Sequence, residues 1–520
     1  MRKLLMASGA ILGASASLAF AQQQVPANPS QGQYAAPYAG GASYNSNNNA
    51  WGIANTPSGS QAAGGLSTMG AVGQNFYAVP APGTVAIRLN GKVEADIGVG
   101  SGSASNYKAA NGITYKSNPV DIGSYMRLYP GFDGMSTNGI RYGAQIELRE
   151  NFQNALPAPS ASSTGAVTQS SAPTSPSANT SLETVFVRRA YTYLANDNVG
   201  IVRLGQGDGV IGLFDPCIFS SQCFDAGVGV FQNNAYGGFY PTNAAGGGAT
   251  NYPWLAQAGA DYANNKIVYL SPQIYGLDIG LAYAPSQGNA YQNSSGNVGV
   301  TGAISTGSAT DALESTTTGA TTNRWYNEAE VGARYEHTFG AVDVKAYGAY
   351  YHAAREDYSG PVVPVSGVGS TNATGSNINY DPISFYQAGL AVTTAGLTAA
   401  VTYQGGQVNN QLALLQSGGA KMSATVFGLT YINGPWTTGF ATGLIDSQGN
   451  AGSLVGVSQR HQFETSAALN YKIAPGVNAV LEYSYYQTHQ GDFNFITSAV
   501  GPANNDVKTQ ALIFTTMLTW

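Results

Sequence analysis

The stretch TVAIRLNGKVEADIGV, Thr84 to Val99, decides the fold. Val85, Ile87, Leu89, Val93 and Ile97 alternate with Arg88, Asn90, Lys92, Glu94 and Asp96. A period of two held over this length specifies an extended strand with one apolar and one strongly polar face. In a water-soluble sandwich the apolar face would pack on a second sheet. In a membrane barrel it meets lipid while the polar face lines water.

Working outward, the same pattern recurs. Tyr275, Leu277, Ile279, Leu281 and Tyr283 form one apolar row; Val477, Ala479, Leu481, Tyr483 and Tyr485 form another. With segments such as Ile140 to Phe152, Val199 to Gln206, Ile383 to Thr394, Leu397 to Gln407 and Gly476 to Gln487, the expected total is sixteen strands. Short links with turn chemistry (Phe339-Gly340, Ala395-Gly396, Asn433-Gly434, Ala474-Pro475) alternate with long polar ones such as Gln287 to Asn323. A soluble sandwich has no reason to sort its loops by length between two ends, whereas an outer-membrane barrel has short periplasmic turns, long outer loops and an even strand number. Tyrosines at row ends suit an interfacial aromatic girdle.

Composition agrees. The chain has 67 Gly, 33 Tyr and only 9% charged residues, far below the roughly 25% of an ordinary soluble domain. A net charge of −6 provides no basic surface for nucleic acid. Met1 to Ala21 reads as a secretory signal, with Arg2 and Lys3, an apolar run and Ala19-Phe20-Ala21 as the cleavage site. After it, no apolar run reaches the roughly 18 residues of a membrane helix. Gln22 to Gly83 is Gln-, Asn-, Pro- and Gly-rich and is expected to be a disordered periplasmic leader, with a partial plug as the functional alternative. The barrel is expected over residues 84–520.

Gly205 to Asn264 is too long for a hairpin turn, and loops of that size in a compact domain are usually functional. It holds both cysteines, Cys217 and Cys223. In an exported chain these point to one small disulfide loop, two unpaired thiols being the alternative. It also holds Asp208, Asp215, Asp225 and Asp261 and no Arg or Lys. The early strands carry Arg88, Lys92, Arg127, Arg141 and Arg149 on their polar face. Of the adjacent Arg188 and Arg189, one must face away from the lumen. Opposed acidic and basic rows across a narrow passage create a transverse field that orients dipolar solutes.

PGTVAIRLNGKVEADIGV (82–99), VRLGQGDGVIGLFD (202–215) and KIVYLSPQIYGLDIGLAYAP (266–285) resemble the Gram-negative general porins of alphaproteobacteria. The C-terminal strand, with Leu512, Phe514, Leu518 and Trp520 on one face, resembles the terminal assembly signal of outer-membrane barrels, with Trp in place of the usual Phe. The resemblance implies an all-β, sixteen-stranded antiparallel transmembrane barrel in the cell outer membrane, a homotrimer in contact with lipid. It also implies that the stretch after the fifth strand folds inward as the constriction. The implied function is a pore for passive diffusion of ions and small hydrophilic solutes, without cofactor. Two other readings compete: a sugar-selective channel, in which Tyr236, Tyr240 and Tyr252 would stack on sugar rings, and a surface receptor or adhesin with a closed bore. The four histidines, His337, His352, His461 and His489, have no metal-ligand spacing, and an enzyme is not expected.

Overall fold

A computed structural model describes residues 82–103, 106–108, 114–116, 119–151, 160–161, 167–168, 186–196, 198–214, 264–272, 274–286, 325–355, 380–408, 414–448, 459–474, 477–495 and 499–520. Five strands come first: β1 (Thr84–Gly102), β2 (Val120–Met135), β3 (Arg141–Asn151), β4 (Phe186–Asn196) and β5 (Gly200–Gln206). A one-turn helix, α1 (Val210–Phe214), follows. Then come β6 (Asn265–Leu270), β7 (Leu277–Ser286), β8 (Trp325–Phe339), β9 (Val342–Arg355), β10 (Ile383–Thr394) and β11 (Leu397–Gln407). The last five are β12 (Met422–Asn433), β13 (Trp436–Ser447), β14 (Arg460–Ala474), β15 (Val477–Gln490) and β16 (Asp506–Thr519).

Each strand pairs antiparallel with its neighbours in sequence, and β16 pairs with β1, so the described strands form one closed barrel. The links β2–β3, β4–β5, β6–β7, β8–β9, β10–β11, β12–β13 and β14–β15 are short and share one end, the periplasmic end. Among the described residues, several of the remaining links, at the outer end, carry short accessory pairings such as Tyr380–Asp381 with Leu415–Gln416. The signal region and nearly all of the leader lie outside the described residues.

The faces of the wall are inverted relative to a soluble protein. Ile87 and Leu89 on β1 and Leu204 on β5 are 83%, 61% and 57% exposed, whereas Asp96, Glu147, Arg189, Lys266 and Glu328 are buried on the inner face. Only a lipid exterior makes that arrangement favourable, since charge on the outer face would cost about 2 to 4 kcal/mol per residue at the midplane. Near the short turns the outward aromatics Phe339, Tyr431, Trp436 and Tyr471 are exposed, and the Trp436 and Tyr471 rings lie 4.4 Å apart. They occupy the girdle positions expected of the row ends.

The strand limits depart from the sequence expectation by a few residues. Tyr275 does not begin β7: it sits in a turn at φ 51° with Gly276 at φ 87°, and the apolar row starts at Leu277. β15 runs on to Gln490 because Thr488 and His489 pair with Val507 and Asp506 of β16, which extends that strand as well. Polar residues there hid a continuing strand.

Closure depends on the chain end. Leu512, Phe514, Leu518 and Trp520 all lie exposed on the outer face. Trp520 exchanges both backbone hydrogen bonds with Gly91 at 3.1 Å, and its ring lies over Gly91 so closely that a Cβ there would be 2.1 Å from the indole. We expect Gly91→Val to reduce the yield of heat-resistant, slow-migrating barrel on unheated gels. Gly348→Val, where a Cβ meets nothing within 4 Å, is expected to assemble normally.

Candidate functional site: the inward segment and its docking strip

β5 ends at Gln206, and the chain then turns into the bore. Gly207, Asp208, Gly209 and most of α1 are buried, and α1 packs on the inner faces of β7, β8 and β9. The wall is scooped out to receive it. A Cβ on Gly332 would lie 2.6 Å from Val210 Cγ1, and one on Gly280 would lie 3.0 Å from both Val210 and the Phe214 ring. Val210, Leu213 and Phe214 join Ile201, Val268, Leu270 and Ala349 in an apolar cluster on one side of the lumen. Apolar burial of this kind, at about 25 cal/mol per Å², holds the segment against the wall.

Charged groups fix its position. Arg189 Nε and Nη2 donate to the two Asp208 carboxylate oxygens at 2.5 and 2.7 Å. Arg189 Nη1 also donates to Glu147, its register partner across β3 and β4. The Ile211 N–H donates to Glu330 at 2.8 Å. Gly209 passes beside the same carboxylate, where a Cβ would stand 1.8 Å from Oε1. Arg334 pairs with Asp278 at 2.8 Å and sits 4.9 Å from the centre of the Phe214 ring, a cation–π contact.

The returning end of the long stretch is tied to the same place. Asn264 Nδ2 donates to Glu328 at 2.8 Å and Lys266 Nζ donates to it at 2.7 Å, with Tyr351 adding its hydroxyl at 3.1 Å. Lys266 also lies 3.6 Å from Glu330. Along the inner face of β8, therefore, Glu328, Glu330, Gly332 and Arg334 each meet the segment or its ends. A two-residue period places all four on one side of the strand. Such buried pairs define geometry more than they add net stability, but removing one partner strands the other at about 3 to 5 kcal/mol.

Of the residues expected from sequence, Asp208 is engaged by Arg189, and Arg141 lies buried on the inner face of β3. The register places Lys92 opposite Arg127 and Arg127 opposite Arg149, so these three backbone positions form one cross-strand row; Arg88 lies opposite Gly131. Asp215, Asp225, Asp261, Cys217, Cys223, Tyr236, Tyr240 and Tyr252 fall outside the described residues. The adjacent pair Arg188-Arg189 resolves with Arg189 inward. Sequence reading passed over the docking strip, although EAEVGAR, Glu328 to Arg334, carries an acid, an acid, a glycine and a base at two-residue spacing.

Two expectations follow for single channels in planar bilayers. Gly332→Val takes the volume of the Val210 side chain and is expected to push α1 toward the bore axis, lowering mean conductance and adding flicker; wild-type traces would show that the scoop is not needed. Arg189→Met leaves the buried Asp208 and Glu147 carboxylates facing each other and is expected to raise current noise and lower thermal resistance. Arg189→Lys is expected to restore part of both.

A sequence profile of Gram-negative porins matches residues 78–491. No curated protein matches the chain significantly in sequence. Among solved structures it is similar to the anion-selective porin from Comamonas acidovorans, at 14% identity over 84% of this chain and 100% of that one, with a TM-score of 0.45. It is similar also to OmpT of Vibrio cholerae (11% identity, 84% and 99% covered, TM-score 0.42) and to a variant of the Rh. blastica porin (14%, 84% and 100%, TM-score 0.39). With a profile match across most of its length, the chain belongs to the Gram-negative porin family.

Proposed function

We propose that this outer-membrane porin is a general diffusion pore whose passage is set by the inward stretch after β5 and crossed by a transverse field. The observation that carries this reading is the docking of α1 inside a barrel whose inner face is charged and whose outer face is apolar. A channel discriminates by bore and by the charges around it, and a segment anchored within the lumen on Glu330 and Arg189 bears on both.

Asp208 shares Arg189 with Glu147 within the wall, and Asp215, Asp225 and Asp261 supply the rest of the acidic side of the field. The basic side is the row Lys92, Arg127 and Arg149, aligned by the register of β1, β2 and β3, with Arg88 and Arg141 nearer the periplasmic end. A disulfide between Cys217 and Cys223 would stiffen the inward stretch. The resemblance to general porins further supports export by residues 1–21 and assembly as a homotrimer.

The test is electrical. The purified protein is expected to give ohmic steps in simple salt without saturation by sugars; correctly folded protein that never conducts would sink the reading. Replacing Lys92, Arg127 and Arg149 together by Gln is expected to move the reversal potential in a salt gradient toward cation preference. Asp215→Asn is expected to move it the other way. Unchanged potentials in both would remove the field while leaving the pore.

A further inference from the structure

Four neighbouring strands bring a polar row together on the outward face of the outer rim. Asp446 of β13 lies level with His461 of β14, His461 with His489 of β15, and His489 with Asp506 of β16. His461 is the second residue of its strand and His489 the last but one of its own, so the row sits beside the long outer links. The two-residue period puts these side chains on the same face as the exposed Leu444, Phe463, Tyr483 and Leu512. The His461 and Asp446 side chains are 57% and 45% exposed, and His489 is exposed as well. The two histidines are far apart in sequence, and only register sets them opposite each other.

The barrel alone gives no reason for that pairing, because two imidazoles directly opposite each other repel once both are protonated. A bound cation does give one. His461 Nδ1 donates to Asp446 Oδ1 at 2.5 Å. With its proton held at Nδ1, the ring keeps its lone pair at Nε2. A carboxylate behind an imidazole fixes the tautomer and raises the basicity of the ligating nitrogen. The His489 imidazole makes no hydrogen bond among the described residues. Asp506 is occupied by Lys508 at 3.4 Å and by the Gln487 amide at 3.2 Å, which leaves the two rings as the ligands.

Spacing and charge fit as well. Side chains directly opposite across antiparallel strands have Cβ atoms about 4.5 to 5.5 Å apart, and an imidazole nitrogen binds zinc at about 2.0 to 2.1 Å. Two rings leaning together can therefore close on one ion by side-chain rotation alone. Among the described residues no three ligating side chains already converge on a point, so this is a clip of two histidines whose other coordination positions go to water. Asp446 and Asp506 outnumber Lys508 around it, which favours a cation over an anion. Neutral imidazoles select copper, nickel or zinc; calcium and magnesium take oxygen ligands.

We propose that His461 and His489 form a cross-strand clip for a divalent transition cation of the copper, nickel or zinc class on the outer rim, with Asp446 as the positioning residue. The probe is Cu2+, which binds nitrogen sites most tightly in its series. Folded full-length protein in detergent, with Cys217 and Cys223 replaced by Ser, is titrated with Cu2+ and followed by electron paramagnetic resonance. The expected result is one copper per chain whose spectrum carries the couplings of two imidazole nitrogens. His461→Ala and His489→Ala are each expected to lose the two-nitrogen pattern. Asp446→Ala is expected to keep the pattern with affinity lowered about tenfold. All three variants are expected to keep the slow-migrating band on unheated gels. No uptake by the parent protein, a two-nitrogen pattern that survives either histidine change, or displacement of the copper by excess Ca2+ would each overturn the site. Unchanged affinity in Asp446→Ala would overturn its positioning role. Uptake is read without current, so its failure leaves the pore reading where it stands.

Discussion

A strand in hydrocarbon has no water to satisfy its N–H and C=O groups, so a sheet that crosses a bilayer must leave no edge. The rest of this structure depends on that requirement. It explains why β16 returns to β1, why the chain's last residue bonds to Gly91, and why the outer face can be almost wholly apolar. It also moves the charged groups within the membrane-spanning part inward and leaves outward ones such as Asp506 and Lys508 to the outer rim. With the exterior given over to lipid, the lumen holds the salt bridges, the polar networks and the residues that decide passage.

A charged, hydrated lumen is a poor place to dock a peptide segment, and the barrel meets this by local exceptions. On β7 and β8 the inner face is reduced to Gly280 and Gly332, and the neighbouring Ala349, Val268 and Leu270 make an apolar seat. Around the seat, ion pairs supply direction where hydrophobic contact would allow sliding. Arg189 holds the approach to the helix, Glu330 its backbone and Arg334 its aromatic tip. The combination resembles a small protein core with a charged rim, set against the inside of a barrel wall.

Much of the barrel was legible in the sequence because its signal is repetitive. β10 and β11 match their expected limits, Ile383 to Thr394 and Leu397 to Gln407, since apolar alternation starts and stops sharply there. Limits blurred where polar residues continued a strand, as at Thr488 and His489, or where an aromatic sat in a turn, as at Tyr275. The site was less legible. Alternation gives the face of a residue and not its height, so Asp208 could be assigned to the inward stretch while its partner Arg189 could not be distinguished from Arg188. The row Lys92, Arg127 and Arg149 emerged only when register fixed three strands against one another. The docking strip on β8 was written plainly in EAEVGAR, yet nothing local says that such a face will receive a chain segment from a distant loop.

The strip also has a consequence for how such a pore can change over time. Both ends of the long stretch are anchored on Glu328 and Glu330, two residues apart on one strand. What lies between Phe214 and Asn264 is thus a cassette with fixed terminals. Its length, charge and bulk can be rewritten while α1 and Asn264 keep their seats on β8. Selectivity and fold are in this sense uncoupled, and variation in the one need not be checked by the stability of the other.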